Sequence, residues 1–335
     1  MKNIGNSKRI GLEVEIRTYS FYRMNNKMLL AKTSRQEIDA DLNYPLLQLV
    51  SEGNSTGRSY FELVFAPIKK EDIRNVLSVR EIALRVSANT IEDWINKFNT
   101  QIEGRRNSNL RNYKLDILES VTTRNRYGIT RNSSNAGINS IQANILIPVD
   151  TFANLNKIRT LFEGIEPGHF KAANVFDKLS QIQTLGGQPV TARMKAIAFI
   201  SIYICYMYSI RDCNFGGNMN KTFFYILPKI ELITLIKEIF HDDSSRDLFV
   251  NYINNITPKM FAFFQSRALD YFVNNMNILT RNITSANPIS ITPRESGVLP
   301  IYNSAATGPC IVVEFRKNSL SILQSISSGN VPNIW

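Results

Sequence analysis

Histidine is nearly missing from this chain, with only His169 and His241 among 335 residues. A histidine-rich zinc site is thereby nearly excluded, and a Ser-His-Asp triad would have to use one of the two. Cysteine is scarce too: Cys205, Cys213 and Cys310 show no paired metal-ligand spacing, and an odd count does not close a disulfide framework. A reducing compartment fits best. No convincing Ser-His or Cys-His pair offers a nucleophile, and Cys310 reads as a buried small residue at the start of a strand. Apolar runs are short. The longest, Ala196 to Ile210, is interrupted by Ser201 and Ser209 and reads as a buried helix, below the roughly 18 to 20 residues of a membrane span. Met1 to Arg9 is polar and basic with no apolar stretch behind it, so no secretory signal is expected. A cytoplasmic site of action follows, and a bacterial effector exported without a cleaved signal would look the same. With no internal repeat and no low-complexity linker, one α+β domain over residues 1–335 is expected, with a helical insert at about 150–281.

Basic residues are in excess. The 39 Lys and Arg against 28 Asp and Glu give a formal charge of +11, which favours anionic partners: nucleotides, nucleic acid or acidic lipid. The densest basic stretch runs from Arg105 to Arg131 and holds Arg106, Arg111, Lys114, Arg124 and Arg126 as well. Its aromatics are Tyr113 and Tyr127 alone. That is thin for stacking bases, so the stretch reads as a solvated face and argues against a nucleic-acid partner.

Period-two alternation marks the strands. From Arg9 to Tyr19, Ile10, Leu12, Val14 and Ile16 alternate with Gly11, Glu13, Glu15 and Arg17, placing both glutamates and the arginine on one face. Leu46 to Val50 leads into a polar turn, Ser51 to Ser59, and a strand from Tyr60 to Ala66 is expected to stop at Pro67. Helical spacing follows from Lys69 to Phe98, with a break at Asn89. Asn107 to Asn135 is polar, with a strand at Tyr113 to Val121. Ile138 to Val149 then alternates Ile141, Ala143, Ile145 and Ile147 with Gln142 and Asn144. The later helices are expected at Asp150 to Glu163 with Asp150 as N-cap, Ala172 to Ile182, Val190 to Ile210, Lys229 to Phe240, Ser245 to Asn254 and Pro258 to Thr280. Gly186 and Gly187 read as a plain loop ahead of the apolar helix. After a connection from Asn282 to Ser296, the strand Cys310 to Arg316 alternates Ile311, Val313 and Phe315 with Glu314 and Arg316, and Leu320 to Ile326 forms a short final helix.

Four separated strands thus carry polar or acidic residues on one face: Glu13 and Glu15, Glu62, Gln142 and Asn144, then Glu314 and Arg316. Like charges gathered in one groove repel unless cations or protons lie among them. Magnesium takes oxygen ligands and bridges nucleotide phosphates, so it suits carboxylates and carboxamides better than zinc does. For any single strand, an ordinary solvent face is the competing reading.

The ordered set Gly-Leu-Glu-Val-Glu at 11–15, Glu-Leu-Val-Phe-Ala-Pro at 62–67, the Gln142 strand and Val-Glu-Phe-Arg at 313–316 resembles the amidoligase and glutamate-cysteine ligase superfamily. That resemblance implies a curved antiparallel sheet, related to that of glutamine synthetase, around ATP and Mg. It implies that Glu13, Glu15, Glu62 and Glu314 bind metal, that Arg316 contacts the nucleotide phosphates with Arg17 as a further nucleotide-binding residue, and that Glu15, Glu314 and Arg316 form the catalytic set. Glu52 stands where the family has an acidic turn residue, and Gln142 and Asn144 stand where relatives commonly show histidine. A glutamine still offers an oxygen to magnesium but cannot shuttle a proton. The implied reaction is ATP-dependent ligation of a carboxylate to an amine through an acyl phosphate, with amino acids, peptides, polyamines or protein side chains as the substrate classes of the family. A catalytically degenerate binding or toxin module with the same fold is the alternative, and a basic nucleic-acid binder the second.

Overall fold

The computed structural model describes residues 2–3, 9–22, 24–34, 45–53, 57–106, 108–124, 128–131, 141–163, 170–213, 225–288, 299–305, 308–316 and 323. The chain divides into two compact units, one built from residues 7–145 and 315–330, the other from 1–6, 146–314 and 331–335.

In chain order, β1 (Lys2–Asn3) belongs to the second unit, and the first unit opens with β2 (Arg9–Tyr22), β3 (Leu29–Thr33), β4 (Leu47–Gly53) and β5 (Arg58–Lys69). Two helices follow, α1 (Ile73–Arg85) and α2 (Ile91–Glu103), then β6 (Leu115–Ile117), α3 (Glu119–Arg124), β7 (Thr130–Arg131) and β8 (Ile141–Pro148), which leaves the unit after Ile145. The strand order is β8-β2-β5-β4-β3-β6, with β7 also on β2. The pairings β2–β5, β2–β8, β2–β7, β4–β5, β3–β4 and β3–β6 are all antiparallel. Thr90 caps α2 by accepting from the Asp93 backbone N–H at 3.1 Å, which explains the expected break at Asn89.

One face of this sheet is apolar. Leu12, Val14 and Ile16 of β2, Phe61 and Leu63 of β5 and Ala143 and Ile145 of β8 are all buried. Phe61 meets Trp94 of α2 with ring centroids 4.9 Å apart, and Trp94 stacks on Phe98 at 5.3 Å. Register is thereby fixed, because a slip of one residue would turn these side chains to the wrong face.

Two irregularities bend the sheet. Ile10 pairs with Ile68 but Leu12 with Phe65, so β5 holds one extra residue beside Pro67. The expected stop at Pro67 is therefore a bulge: β5 runs through to Lys69 because the bulge tolerates a residue without an N–H. The second shift lies between Ile16 and Phe21, and here β2 pairs through Tyr19 and Ser20 with β7 instead. Other boundaries move as well. The strand expected at Tyr113 to Val121 shortens to β6 because Glu119 begins α3, and Ser51 to Gly53 extend β4 rather than forming a turn. The short strand β3 was not anticipated.

The second unit contains the helical insert: α4 (Val149–Phe152), α5 (Leu155–Leu161), α6 (Ala172–Gln181), a hairpin of β9 (Thr184–Leu185) and β10 (Gln188–Pro189), and α7 (Ala192–Cys213). Then come β11 (Ile226–Pro228), α8 (Leu232–Ile239), α9 (Asp243–Ile256), α10 (Ser266–Ile283), β12 (Tyr302–Ser304) and β13 (Gly308–Phe315). Strand β12 lies between a parallel β1 and an antiparallel β13, which also pairs with β11. Asp150 is not a cap. It sits in the first turn of α4, and the helix expected there breaks at Asn154, whose side chain accepts from the Asn156 and Lys157 N–H groups at 3.1 Å. The helix expected from Pro258 begins instead as a 3-10 turn, Thr257–Phe263, before α10. Gly186 and Gly187, at φ 54° and 80°, close the β9–β10 hairpin, a turn that requires positive φ at both positions.

Helix α7 is the core of this unit. At 22 residues it is longer than its apolar run suggested, and by length and hydropathy it could cross a membrane, but 83% of its apolar window is buried inside the protein. Ser209 is satisfied locally: its Oγ donates to the Cys205 carbonyl at 2.6 Å and accepts from Asn275 of α10 at 3.0 Å, whereas Ser201 Oγ is buried with no hydrogen-bond partner among the described residues. The helix expected at Leu320 to Ile326 lies outside the described residues apart from Leu323.

Phe61 is fully buried between Phe21 and Trp94. Phe61→Ala should cost about 3–5 kcal/mol in the stability of the first unit. Urea unfolding followed by the fluorescence of Trp94 checks this, and a loss below about 1 kcal/mol would contradict a well-packed core there.

Candidate functional site

The polar face of the first unit's sheet is built by register. Glu15 pairs with Glu62, Glu62 with Val50, Glu52 with Tyr60, Glu13 with Gln142 and Gly11 with Asn144. Residues directly opposite each other point the same way, so Glu13, Glu15, Glu52, Glu62, Gln142 and Asn144 share one face with Arg17. Gly11 keeps that face open: a Cβ there would meet Asn144 Cβ at 3.4 Å.

Each carboxylate has a defined neighbour. Gln142 Nε2 donates to Glu15 Oε1 at 3.0 Å, and Arg17 Nε donates to Glu15 Oε2 at 2.7 Å. Asn144 Nδ2 reaches Glu13 Oε1 at 3.5 Å. The Glu62 side chain is 1% exposed and ion-paired with Lys27, whose Nζ also lies 2.9 Å from Glu52 Oε2 without hydrogen-bond alignment. Lys27 is the residue that pattern reading missed. It stands in no strand, in the turn before β3, and only the sheet brings it to carboxylates 25 and 35 positions away.

That turn is held firmly. Lys27 has φ 58°, a left-handed conformation unfavourable for a residue with a side chain. Its N–H donates to the Ser51 carbonyl at 2.7 Å, Ser51 Oγ donates to the Asn25 carbonyl at 2.6 Å, and Asn26 Oδ1 accepts from the Gly53 N–H at 2.9 Å. Three bonds to β4 therefore aim the ammonium inward.

Charge crowding shows in Glu62. Burial pushes its carboxyl up, Lys27 pulls it down, and Glu13 and Glu52 push it up again, to about 7 from 4.5. Burial lowers the Lys27 ammonium, but Glu62 and Glu52 raise it by more, and it stays charged.

The residues fit a divalent cation by donor chemistry. Carboxylate and carboxamide oxygens line one face, and Asn144 Oδ1 is buried with no hydrogen-bond partner among the described residues. Among the described residues, however, no three acidic, histidine or cysteine side chains are already arranged to hold a metal. In this state the Glu52–Glu62 pair holds an ammonium.

Glu314 belongs to the second unit, where it is 2% exposed and ion-paired with Lys229, whose backbone N–H donates to the Val312 carbonyl at 2.7 Å. Arg316 follows the end of β13 and is half-buried. Cys310 is buried at the start of that strand, as expected. In the basic stretch, Tyr113 is buried edge-on against Phe65, at 6.2 Å between centroids, and Lys114 pairs with Glu103 at 2.6 Å. Tyr113 is thus no platform for a base, and Tyr127 lies outside the described residues.

No family model matches the chain, and no curated protein matches it. Two solved structures from Vibrio cholerae are similar in fold. A toxin of the MARTX/VgrG family aligns over 99% of this chain and 98% of its own at 11% identity, with a TM-score of 0.51. The ACD domain of the VgrG toxin, a glutamate-to-glutamine mutant in complex with ADP and Mn2+, aligns over 94% and 95% at 10% identity and a TM-score of 0.49. At such identity the first of these likenesses establishes shared architecture across nearly the whole chain.

Glu62 yields a pH prediction. Between pH 4.5 and 7 the folded chain holds a proton on Glu62 that the unfolded chain has lost, so its contribution is full below that window and fades as pH rises through it. Glu62→Gln removes this dependence. Urea unfolding across the window should show a stability decline smaller in the variant by roughly 1–3 kcal/mol. Identical pH profiles for variant and wild type would contradict the assignment.

Proposed function

We propose that the protein is an ATP- and divalent-metal-dependent carboxylate-amine ligase, acting as a bacterial effector on a protein or peptide. The observation that carries this reading is the single sheet face on which Glu13, Glu15, Glu52 and Glu62 meet Gln142 and Asn144 by strand register. The fold shared with a Vibrio cholerae toxin supports the effector role.

In this reading Glu13, Glu15, Glu52 and Glu62, with the Gln142 oxygen, hold the metal. Glu314 as a further ligand and Arg316 and Arg17 as phosphate contacts rest on the family resemblance. Bound magnesium would neutralise the charge that builds on the phosphoryl group being transferred. The substrate carboxylate attacks the terminal phosphorus of ATP and ADP departs. The amine nitrogen then attacks the acyl carbon, phosphate leaves, and the amine proton is lost as the amide forms. The chain's own part is positioning: Arg17 and Gln142 fix the two oxygens of Glu15 at 2.7 and 3.0 Å, so that carboxylate is oriented before any ligand arrives. No protein nucleophile is required.

Calorimetry with a non-hydrolysable ATP analogue tests the reading. Wild type should bind the analogue with Mg2+ and not without it, and Glu15→Gln should weaken that binding at least tenfold. Binding that ignores metal, or none at all, would leave a scaffold of the same fold.

A further inference from the structure

Lys27 is placed where a cation belongs. Its ammonium pairs with Glu62, one of the most buried carboxylates of the sheet, and lies 2.9 Å from Glu52, so it sits between two of the groups assigned to the metal. Its side chain is nonetheless 48% exposed, against 19% for Glu52 and 1% for Glu62. The side chain is half-exposed while its ammonium is paired, so four rotatable bonds can carry the ammonium out without moving the backbone. The turn that aims it keeps φ 58° at Lys27, an arrangement that glycine would adopt at no cost. A simple surface ion pair needs no such turn.

We propose that Lys27 is a tethered counter-ion that occupies the Glu52–Glu62 pair in the metal-free protein and is displaced when a divalent cation binds, so that it sets the metal affinity of this face. This rests on the metal reading above. One monovalent ammonium on a short tether neutralises part of the charge and keeps the buried glutamate paired until metal arrives. A divalent cation must expel it, which lowers apparent affinity and makes the site respond to metal concentration rather than fill at trace levels. The displaced ammonium is then free to meet an anion near the same face.

The test is Mn2+ binding to the full chain by calorimetry, with melting curves recorded with and without Mn2+. Lys27→Met removes the charge and keeps the stem. Lys27→Gly removes both and suits the left-handed turn, so a folding defect cannot mask the result. Both variants should bind Mn2+ at least tenfold more tightly than wild type and gain more melting temperature from Mn2+ than wild type does, and Lys27→Met, which keeps the backbone strain, should also melt lower without metal. Wild type binding Mn2+ with variants equal or weaker would overturn the tethered counter-ion and leave the ligase reading standing. Failure of wild type and both variants to bind Mn2+ would overturn both.

Discussion

The first unit depends on keeping like charges close together on one face of a sheet. Two carboxylates about 4 Å apart repel by roughly 4 kcal/mol at the effective dielectric of a protein surface, and more where water is excluded. Glu62 feels this directly: burial, Glu13 and Glu52 all disfavour its ionised form. The fold answers with donors and one ammonium. Arg17 and Gln142 hold Glu15, Asn144 reaches Glu13, and Lys27 serves Glu62 and Glu52 together. A cluster maintained this way, against its own repulsion, is more costly than an ordinary solvent face and requires a rigid frame.

The apolar face supplies that frame. Leu12, Val14, Ile16, Phe61 and Leu63 are buried, and Trp94 and Phe98 of α2 close over Phe61. Because side chains alternate strictly, the same register that buries these residues sends Glu13, Glu15 and Glu62 to the opposite face. Core energy therefore fixes site geometry. The β2–β5 pairing shifts beside Pro67 and again beyond Ile16, on either side of the stretch that carries Glu13, Glu15 and Glu62.

Alternation made most of this legible. Strands β2, β8 and β13 follow from period-two alternation, and β5, the break at Asn89 and the buried helix α7 from equally local signals: a short run between turn residues, one polar interruption of helical spacing and an apolar run. Lys27 was not legible. It lies in no strand, and its partners are fixed only after β3, β4 and β5 pair. The same limit explains the caps: Asp150 and Asn154 are both good capping residues four positions apart, and only the packing of α4 and α5 as separate helices selects Asn154. Pro67 misled for a related reason, because whether a proline ends a strand or sits in a bulge depends on the partner strand. The pairing of Glu314 with Lys229 also needed the fold, since β11 must lie against β13 first.

The amides on β8 mark where this chain departs from the pattern it resembles. A histidine at Gln142 or Asn144 could be cationic and would neutralise Glu13 or Glu15. An amide carries no charge, and Gln142 orients Glu15 through its N–H but cannot neutralise it. Among the described residues, neutralisation therefore falls to Arg17 at Glu15 and to Lys27 at Glu52 and Glu62. Arg17 engages Glu15, whereas Lys27 bridges Glu52 and Glu62, the more buried of which has the raised carboxyl. The charge of the Glu52–Glu62 pair is thus met from a turn rather than a strand, and a turn side chain that is half-exposed can leave. On this face the residue most able to respond to an incoming ligand is consequently one that belongs to no strand.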